Sequence, residues 1–291
     1  MMKSLNHWMV GLDFTSGDNS LLDYVAYLAK QLRPARIRFV HLLQPVDVLE
    51  EMKRYLPEEA LLTTDAAREK LRKQVQPHFS DLEITYEVYE DTSSFQLWQK
   101  AQELEVDLFF AGSKPKEEGR GILAHKFVRK SGCSVCFVPK DVSPRLQKVL
   151  VPLDFSDYAV VALRQAVKIA RQQAGCQVVC LHVFELPHAY YYDHFPRQQL
   201  TELVEQRARR EYETFLQKVD SPGVEIEVIL RLREHSYVAE HIREEAETQQ
   251  ADLILMSAGG QSAISRLLLG SESERIVQME KDIPVLILKE E

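Results

Sequence analysis

Short apolar runs alternate with longer segments of helical periodicity along the whole chain. In the second half the apolar runs are near-continuous stretches of valine, isoleucine and leucine, which is typical of strands covered by helices on both faces. Strands are predicted near Lys148–Leu153, Gln177–Val183, Glu225–Leu230, Asp252–Met256 and Val285–Leu288. Helices are predicted near Tyr158–Gln173, Arg197–Lys218, Tyr237–Thr248 and Glu272–Met279. This alternation predicts an α/β fold, a doubly wound parallel sheet that binds ligands at the carboxyl ends of its strands.

The first half repeats the pattern of the second. HWMVGLDF opens the first half and KVLVPLDF opens the second, and each is an apolar strand that ends in Leu-Asp-Phe. Asp154 follows Asp13 by 141 residues, and His182 follows His41 by the same interval. A duplication that keeps its register over about 140 residues predicts two similar five-stranded domains.

The repeat also places the domain boundaries. The first domain is predicted at residues 1–140 and the second at residues 148–291. Residues 141–147 are predicted to form a linker, because Ser143-Pro144 interrupts regular structure there.

Composition narrows the class of protein. The chain has 291 residues, 45% of them hydrophobic, which is enough for two cores. Its net charge of −8 disfavours nucleic acid and anionic membranes as partners. No apolar run approaches the roughly 20 residues of a membrane span, and the N-terminal apolar segment is too short for a secretory signal. We therefore expect a cytoplasmic protein without a nucleic-acid or membrane partner.

The cysteines predict buried thiols rather than chemistry. Cys133 and Cys136 form a CxxC, but it lies in the strand-like segment CSVCFVP, where successive side chains face opposite ways. A redox CxxC would open a helix, and a zinc site needs two further ligands at suitable spacing. His188, Asp193 and His194 match no strong ligand template either. No metal site is predicted.

The most informative segment is Ala251–Ser271. Its apolar run stops at Ser257, Ala258, Gly259 and Gly260, and nine residues later Gly270 and Ser271 open a helical segment. Free backbone N–H groups at a helix start, beside glycines that permit close approach, form an anion site, and phosphate is the simplest anion to place there. Because no Gly-Lys-Ser/Thr follows, the phosphate charge would be met mainly by backbone dipoles or a metal.

These residues resemble a known family. The second half resembles the universal stress protein family, whose ATP-binding branch carries Gly-x-x-Gly-x9-Gly-Ser/Thr after its fourth strand, and the whole chain resembles the tandem, two-domain form. Here the motif is Ser257-Ala258-Gly259-Gly260, nine residues, then Gly270-Ser271, so a serine replaces its first glycine. The resemblance implies two adenine-nucleotide alpha-hydrolase-like domains, paired through their last strands as an intramolecular pseudo-dimer.

The resemblance also implies a nucleotide site in the second half. The nucleotide would be ATP, or ADP or AMP, with Mg²⁺ or Mn²⁺ held chiefly by its phosphates. Residues implied at the adenine and ribose are Pro152, Leu153, Asp154, Val183 through its backbone, Met256 and Ser257. Residues implied to cradle the phosphates through backbone N–H groups are Gly260, Gly270, Ser271 and Glu272.

The first half departs from this motif. In the same register Gly112 stands for Ser257, Pro115 for Gly260, and His125-Lys126 for Gly270-Ser271. A proline removes a donor N–H, and a histidine is bulky where a phosphate should approach, so we expect no nucleotide in the first half. Asp13 is predicted to cap the turn at Thr15–Gly17.

The predicted function is that of a nucleotide-responsive regulatory or stress-tolerance protein, with a protein partner that the sequence does not identify. We expect it not to be an enzyme, apart from slow ATP hydrolysis. One alternative is a nucleotide-free scaffold of the same fold. An adenylyl-transfer enzyme ranks last, because neither HxGH nor SGGxDS occurs. The bound nucleotide, cyclic ones included, the stress signal and further dimerisation are left open.

Overall fold

A computed structural model describes nine stretches of the chain, with the side chains of residues 94–96 excepted. The stretches are residues 5–43, 62–79, 82–90, 94–113, 132–187, 196–234, 237–259, 270–280 and 282–289. The chain divides into two compact units, residues 3–144 and 145–290. The division falls within residues 141–147, the segment predicted as the linker.

The first unit contains a five-stranded parallel sheet with the strand order β3-β2-β1-β4-β5. The strands are β1 His7–Leu12, β2 Arg36–Leu43, β3 Ile84–Glu90, β4 Leu108–Gly112 and β5 Ser134–Val138. The helices are α1 Asp18–Leu32, α2 Thr64–Val75 and α3 Ser94–Glu103. A 3₁₀ turn at Gln76–His78 follows α2.

The second unit repeats this order as β8-β7-β6-β9-β10, again parallel. The strands are β6 Lys148–Pro152, β7 Gln177–Phe184, β8 Ile226–Leu232, β9 Leu253–Ser257 and β10 Val285–Leu288. The helices are α4 Asp157–Gln172, α5 Arg197–Leu216, α6 Val238–Thr248 and α7 Ser271–Met279. The prediction of two similar, doubly wound parallel sheets is confirmed, and the predicted bounds of this unit differ by at most two residues from those observed.

The burial of the strands explains why they could be recognised in the sequence as continuous apolar runs. Every residue of β5, β9 and β10 is buried, as expected for strands covered on both faces. Helix α4 begins where Ser156 Oγ accepts the N–H of Ala159 at 3.2 Å, a serine N-cap, and it buries one face.

A buried aspartate fixes the amino end of each sheet. Asp107 Oδ2 accepts the N–H groups of Asn6 and His7, both at 2.9 Å. Asp252 Oδ2 accepts those of Gln147 and Lys148, at 2.7 and 3.0 Å. Each carboxylate joins the start of the fourth strand to the start of the first. These duplicated residues are therefore structural, and they lie at the end of the sheet opposite the predicted site.

The cysteines are buried and unlinked, as predicted. Burial raises the pKa of the Cys176 thiol to about 11 and that of Cys180 to about 12. Both thiols are therefore protonated and unreactive at neutral pH. None of the described helices is long and apolar enough to cross a membrane. The pairing of the two halves through their last strands stays a prediction.

Candidate functional site

The predicted site residues lie at the carboxyl end of the second sheet. Strands β6 and β9 are neighbours although the chain winds outward from them in opposite directions, so the site lies where the winding reverses. Leu153 and Asp154 follow β6, and Val183 is near the end of β7. Met256 and Ser257 are the last two residues of β9, and α7 is the next helix along the chain. Of the predicted residues, only Gly260 lies outside the described stretches.

The hydrogen-bonded ladder between the two central strands ends early at this end of the sheet. The β6–β9 ladder ends at Leu150 opposite Ile254, two residues before β6 itself ends at Pro152. In the first half the corresponding β1–β4 ladder continues to Gly11 opposite Ala111. Leu153 N donates to Leu181 O on the β7 side, so the preceding residue, Pro152, faces β9, and it has no N–H to continue the ladder. Pro152 therefore ends the ladder between β6 and β9 early, whereas the corresponding ladder of the first half continues to Gly11.

The backbone of Val183 faces the side on which β6 ends. Its neighbour two positions earlier, Leu181, directs its carbonyl towards β6, where it accepts the Leu153 N–H at 2.8 Å. Peptide groups two residues apart in a strand point the same way, so those of Val183 point beyond the end of β6. This orientation matches the role implied for Val183, a backbone contact with a flat polar edge such as that of adenine.

Helix α7 directs its amino end towards the site. Its N-cap residue is Gly270, and within the described part of the chain no side chain caps it. The N–H groups of Ser271, Glu272 and Ser273 belong to the first turn and have no acceptor within their own helix. Together with the helix dipole they form a site for an anion.

Gly270 differs from its implied role. Its N–H donates to Ala258 O at 2.7 Å, and a Cβ at this position would lie 3.2 Å from the same oxygen. The amide is therefore used within the protein and is not presented to a ligand, contrary to the expectation. The glycine instead allows the start of α7 to approach the end of β9. The sequence could not show this, because the approach depends on the packing of a strand against a helix.

Ser257 is accommodated by its own loop. Its hydroxyl donates to Gly259 O at 2.8 Å, and its carbonyl accepts the Ser273 hydroxyl at 3.1 Å. The residue is only 9% exposed. Gly259 itself packs on an aromatic ring, since a Cβ there would lie 3.0 Å from ring atoms of Tyr158. The serine that replaces the first motif glycine therefore stabilises the loop, with its hydroxyl committed to the loop carbonyl.

The side chain of Glu272 caps a different helix. Its Oε2 accepts the N–H of Ala239 at 2.8 Å, at the start of α6, whose N-cap residue Tyr237 supplies no side-chain cap. Arg275 lies over the Tyr237 ring, 3.6 Å from its centroid. This contact could not be predicted from the sequence, because its partners are 33 residues apart. The carboxylate is turned to α6, and the Glu272 backbone remains in the first turn of α7.

Asp154 lies in a tightly held turn. Its Oδ1 accepts the Ser156 N–H at 3.1 Å and the Ser156 hydroxyl at 2.6 Å. Between them, Phe155 has a φ of 60°, a left-handed conformation that costs a non-glycine residue about 1–2 kcal/mol. The Phe155 ring stacks on the imidazole of His182, with ring centroids 4.1 Å apart. Burial lowers the pKa of His182, so its imidazole is neutral at pH 7.

The same turn in the first half carries an additional acid. Asp13 caps it as predicted, accepting the Thr15 N–H at 3.2 Å and the Thr15 hydroxyl at 2.7 Å. Asp18 Oδ2 accepts the Phe14 N–H at 2.8 Å and is only 4% exposed. Burial, followed by the neighbouring Asp13 carboxylate, raises the pKa of Asp18 to about 6. In register, the second half has Ala159 at this position.

The remaining expectations for the first half concern undescribed residues. Pro115, His125 and Lys126 lie outside the described stretches, as do His188 and His194 of the second half. Among the described residues, no three of the histidines, cysteines and carboxylates are grouped so that they could hold a metal ion.

Relatives of the chain share its sequence pattern. A family model described as the universal stress protein family matches residues 145–289. A universal stress protein of Methanocaldococcus jannaschii is 30% identical over 144 residues, which cover 49% of this chain and 82% of that protein. A universal stress protein of Thermus aquaticus is 30% identical over 141 residues, which cover 48% of this chain and 97% of that protein.

Solved structures extend the similarity to the whole chain. The crystal structure of a universal stress protein from Archaeoglobus fulgidus superposes with a TM-score of 0.66 at 16% identity. The superposition covers 98% of this chain and 97% of that chain, so both halves have this fold. Taken with the sequence matches, this shows that the chain belongs to the universal stress protein family.

Proposed function

We propose that the second half binds an adenine nucleotide, ATP or else ADP or AMP, and that the chain acts as a nucleotide-responsive regulatory or stress-tolerance protein. One observation carries the proposal: the amino end of α7 is uncapped by any described side chain and lies at the switch point of the sheet. First-turn amides and the helix dipole suit a phosphate chain, and Ser271 is exposed where such a chain would approach.

The early end of the ladder between β6 and β9 supports the placement of an adenine and ribose next to those phosphates. Pro152 ends the ladder there, the peptide group of Val183 points beyond the end of β6, and Leu153 and Met256 are buried apolar residues at the same strand ends. Flat aromatic ligands favour such sites, with mostly apolar walls and a few backbone donors and acceptors. Asp154 follows the end of β6, where a ribose hydroxyl would be a natural donor to its carboxylate.

Binding, rather than turnover, is the proposed activity. The described part of the site offers amides, apolar side chains, a carboxylate already bonded to Ser156 and a neutral histidine. Fast phosphoryl transfer requires a positioned nucleophile and cationic groups on the transferred phosphate. We expect at most slow ATP hydrolysis, with Mg²⁺ or Mn²⁺ held chiefly by the phosphates themselves.

Nucleotide binding is proposed to change the surface that the second half offers to a protein partner. We place this activity in the cytoplasm, because four unlinked thiols suit a reducing compartment. A nucleotide-free scaffold is the second candidate. The bond between Gly270 N and Ala258 O favours it, since one motif amide is already satisfied.

Ser271→Pro tests the proposal, with Ser271→Ala as its control. Proline is favoured at the first helical position, and Gly270, with φ −62° and ψ 149°, already has the conformation that a following proline requires. The proline variant therefore keeps α7 but loses one cradle N–H, whereas the alanine variant loses only the hydroxyl. We expect the calorimetric affinity for ATP to fall at least about tenfold with proline and by less than about threefold with alanine.

Two results of this titration would contradict the proposal. Equal affinities in the parent and both variants would show that α7 does not hold the phosphates. A parent protein that binds none of ATP, ADP, AMP or cyclic AMP would replace the proposal with the scaffold. Thermal unfolding of the two variants, expected to match the parent closely, verifies that each one is folded.

A further inference from the structure

We propose that His182 is a positioning residue for the nucleotide: it holds the turn that carries Asp154 in the geometry that the ligand requires, without touching the ligand itself. This inference rests on the proposed nucleotide site of the second half. His41 makes the same contacts in the first half, where no nucleotide is expected. Substitutions around His41 therefore serve as controls for those around His182.

His182 holds the turn on both sides of Asp154. Before the aspartate, the Leu153 carbonyl accepts a hydrogen bond from His182 Nδ1, with 2.8 Å between the two atoms. After it, the Phe155 ring stacks on the imidazole at an interplanar angle of 25°. Asp154 lies between two residues that the same side chain fixes, so the direction of its carboxylate depends on His182.

The turn needs this support because its backbone is disfavoured. Phe155 has a φ of 60°, a region that bulky residues avoid. Phe215 of α5 completes the packing, with its ring centroid 5.6 Å from that of Phe155. If the stacking is lost, the turn is free to relax to a more common conformation, and Asp154 and the end of β6 would move with it.

The protonation state of His182 follows from the same contacts. Nδ1 carries the proton that is donated to Leu153 O, and burial lowers the pKa of the imidazole, so Nε2 is unprotonated at neutral pH. Glu211 from α5 and Asp154 are the acidic groups that face the ring, and they offset part of the effect of burial. A neutral ring with a fixed tautomer is suited to holding a carbonyl and a phenyl ring.

The first half reproduces the histidine contacts of this arrangement, although the group over the Phe14 ring is the Lys70 ammonium, 4.6 Å from the centroid, where Phe155 has Phe215. His41 Nδ1 lies 2.9 Å from Leu12 O, and the rings of Phe14 and His41 stack 3.9 Å apart at the same angle of 25°. Phe14 has a φ of 61°. A purely structural role predicts equal consequences of mutation in the two halves, whereas a positioning role predicts an effect on the ligand only in the second.

Matched substitutions separate the two roles. His182→Phe keeps a ring for stacking but loses the N–H donor, and His182→Asn keeps an N–H near the Nδ1 position but loses the ring. Phe155→Leu removes the stacked ring from the other side. The controls are His41→Phe, His41→Asn and Phe14→Leu. ATP affinity is measured by calorimetry on the full chain, below the unfolding temperature of each variant.

We expect His182→Phe and Phe155→Leu to weaken ATP binding about tenfold, equivalent to the loss of one buried hydrogen bond or a comparable contact. His182→Asn should recover part of the affinity lost in His182→Phe, and the three controls should bind as the parent does. We expect the second-half variants and their first-half controls to lose similar amounts of thermal stability. A difference in ATP affinity between them would therefore not result from lost stability.

The inference is overturned if the second-half variants bind ATP as tightly as their first-half controls while the parent binds it. In that case the proposed function stands without it. A parent that binds no adenine nucleotide overturns the proposed function instead, and the inference with it. Should His182→Phe fail to fold, the comparison of Phe155→Leu with Phe14→Leu decides the matter alone.

Discussion

At the scale of single residues, the two halves differ most clearly at the start of their first helices. Asp18 is buried beneath the turn of the first half and binds the Phe14 amide, where the second half has Ala159. Its folded pKa is raised from 3.8 to about 6. The folded state therefore binds the proton more tightly than the unfolded state, and the stability that this proton contributes is lost as pH rises from about 4 to 6.

We expect Asp18→Asn to stabilise the protein at pH 7 by about 1–3 kcal/mol, since it removes a buried charge but keeps an acceptor for Phe14. The measurement is urea unfolding at pH 4 and pH 7, compared with the parent and with Asp65→Asn, a control whose side chain is 94% exposed. A variant that is no more stable than the parent at pH 7 would contradict the assignment of a raised pKa.

In the second half, His182 makes the stability of the fold depend on pH in the opposite direction from Asp18. Its folded pKa lies below the ordinary histidine value of 6.5, so its contribution to stability is complete above that pH and is lost as the pH falls. The recurrence of His41 and His182 at the interval of the duplication was visible in the sequence. The stacking on a left-handed phenylalanine was not visible, because a positive φ at a non-glycine residue leaves no mark in the sequence.

At the scale of elements, the strands and helices of the second half could be predicted to within two residues, because strands buried on both faces appear as continuous apolar runs. The start of α7 could be predicted from Gly270-Ser271. Two contacts that shape the site could not: the bond between Gly270 N and Ala258 O, and the bond between Ala239 N and Glu272. Neither follows from local sequence, because each depends on how separate elements pack against one another.

The second of these contacts gives a prediction for helix α6. Glu272→Ala removes the acceptor of the Ala239 N–H, and we expect it to lower the free energy of unfolding by about 1 kcal/mol, as the loss of an N-cap does. Glu272→Gln keeps an acceptor and should lose less. Chemical denaturation of the two variants measures the difference. Equal stability of Glu272→Ala and the parent would show that this carboxylate does not cap α6.

At the scale of the whole molecule, one fold occurs twice in the chain with unequal sites. The strand order, the aspartate clamps at Asp107 and Asp252, and the histidine–phenylalanine stacks are the same in both halves. The ladder between the central strands stops at Leu150 in the second half, whereas in the first half it continues to Gly11. The duplication therefore conserves what holds each sheet and its turn, and it diverges where a ligand would enter.

The most direct test of this account is native mass spectrometry of the full chain titrated with ATP. We predict one adenine nucleotide per 291-residue chain at saturation, retained in Ser271→Ala and lost in Ser271→Pro at the same ATP concentration. Two nucleotides per chain would contradict the inequality of the two halves. No nucleotide on the parent, or one retained equally by both variants, would contradict a phosphate site at the amino end of α7.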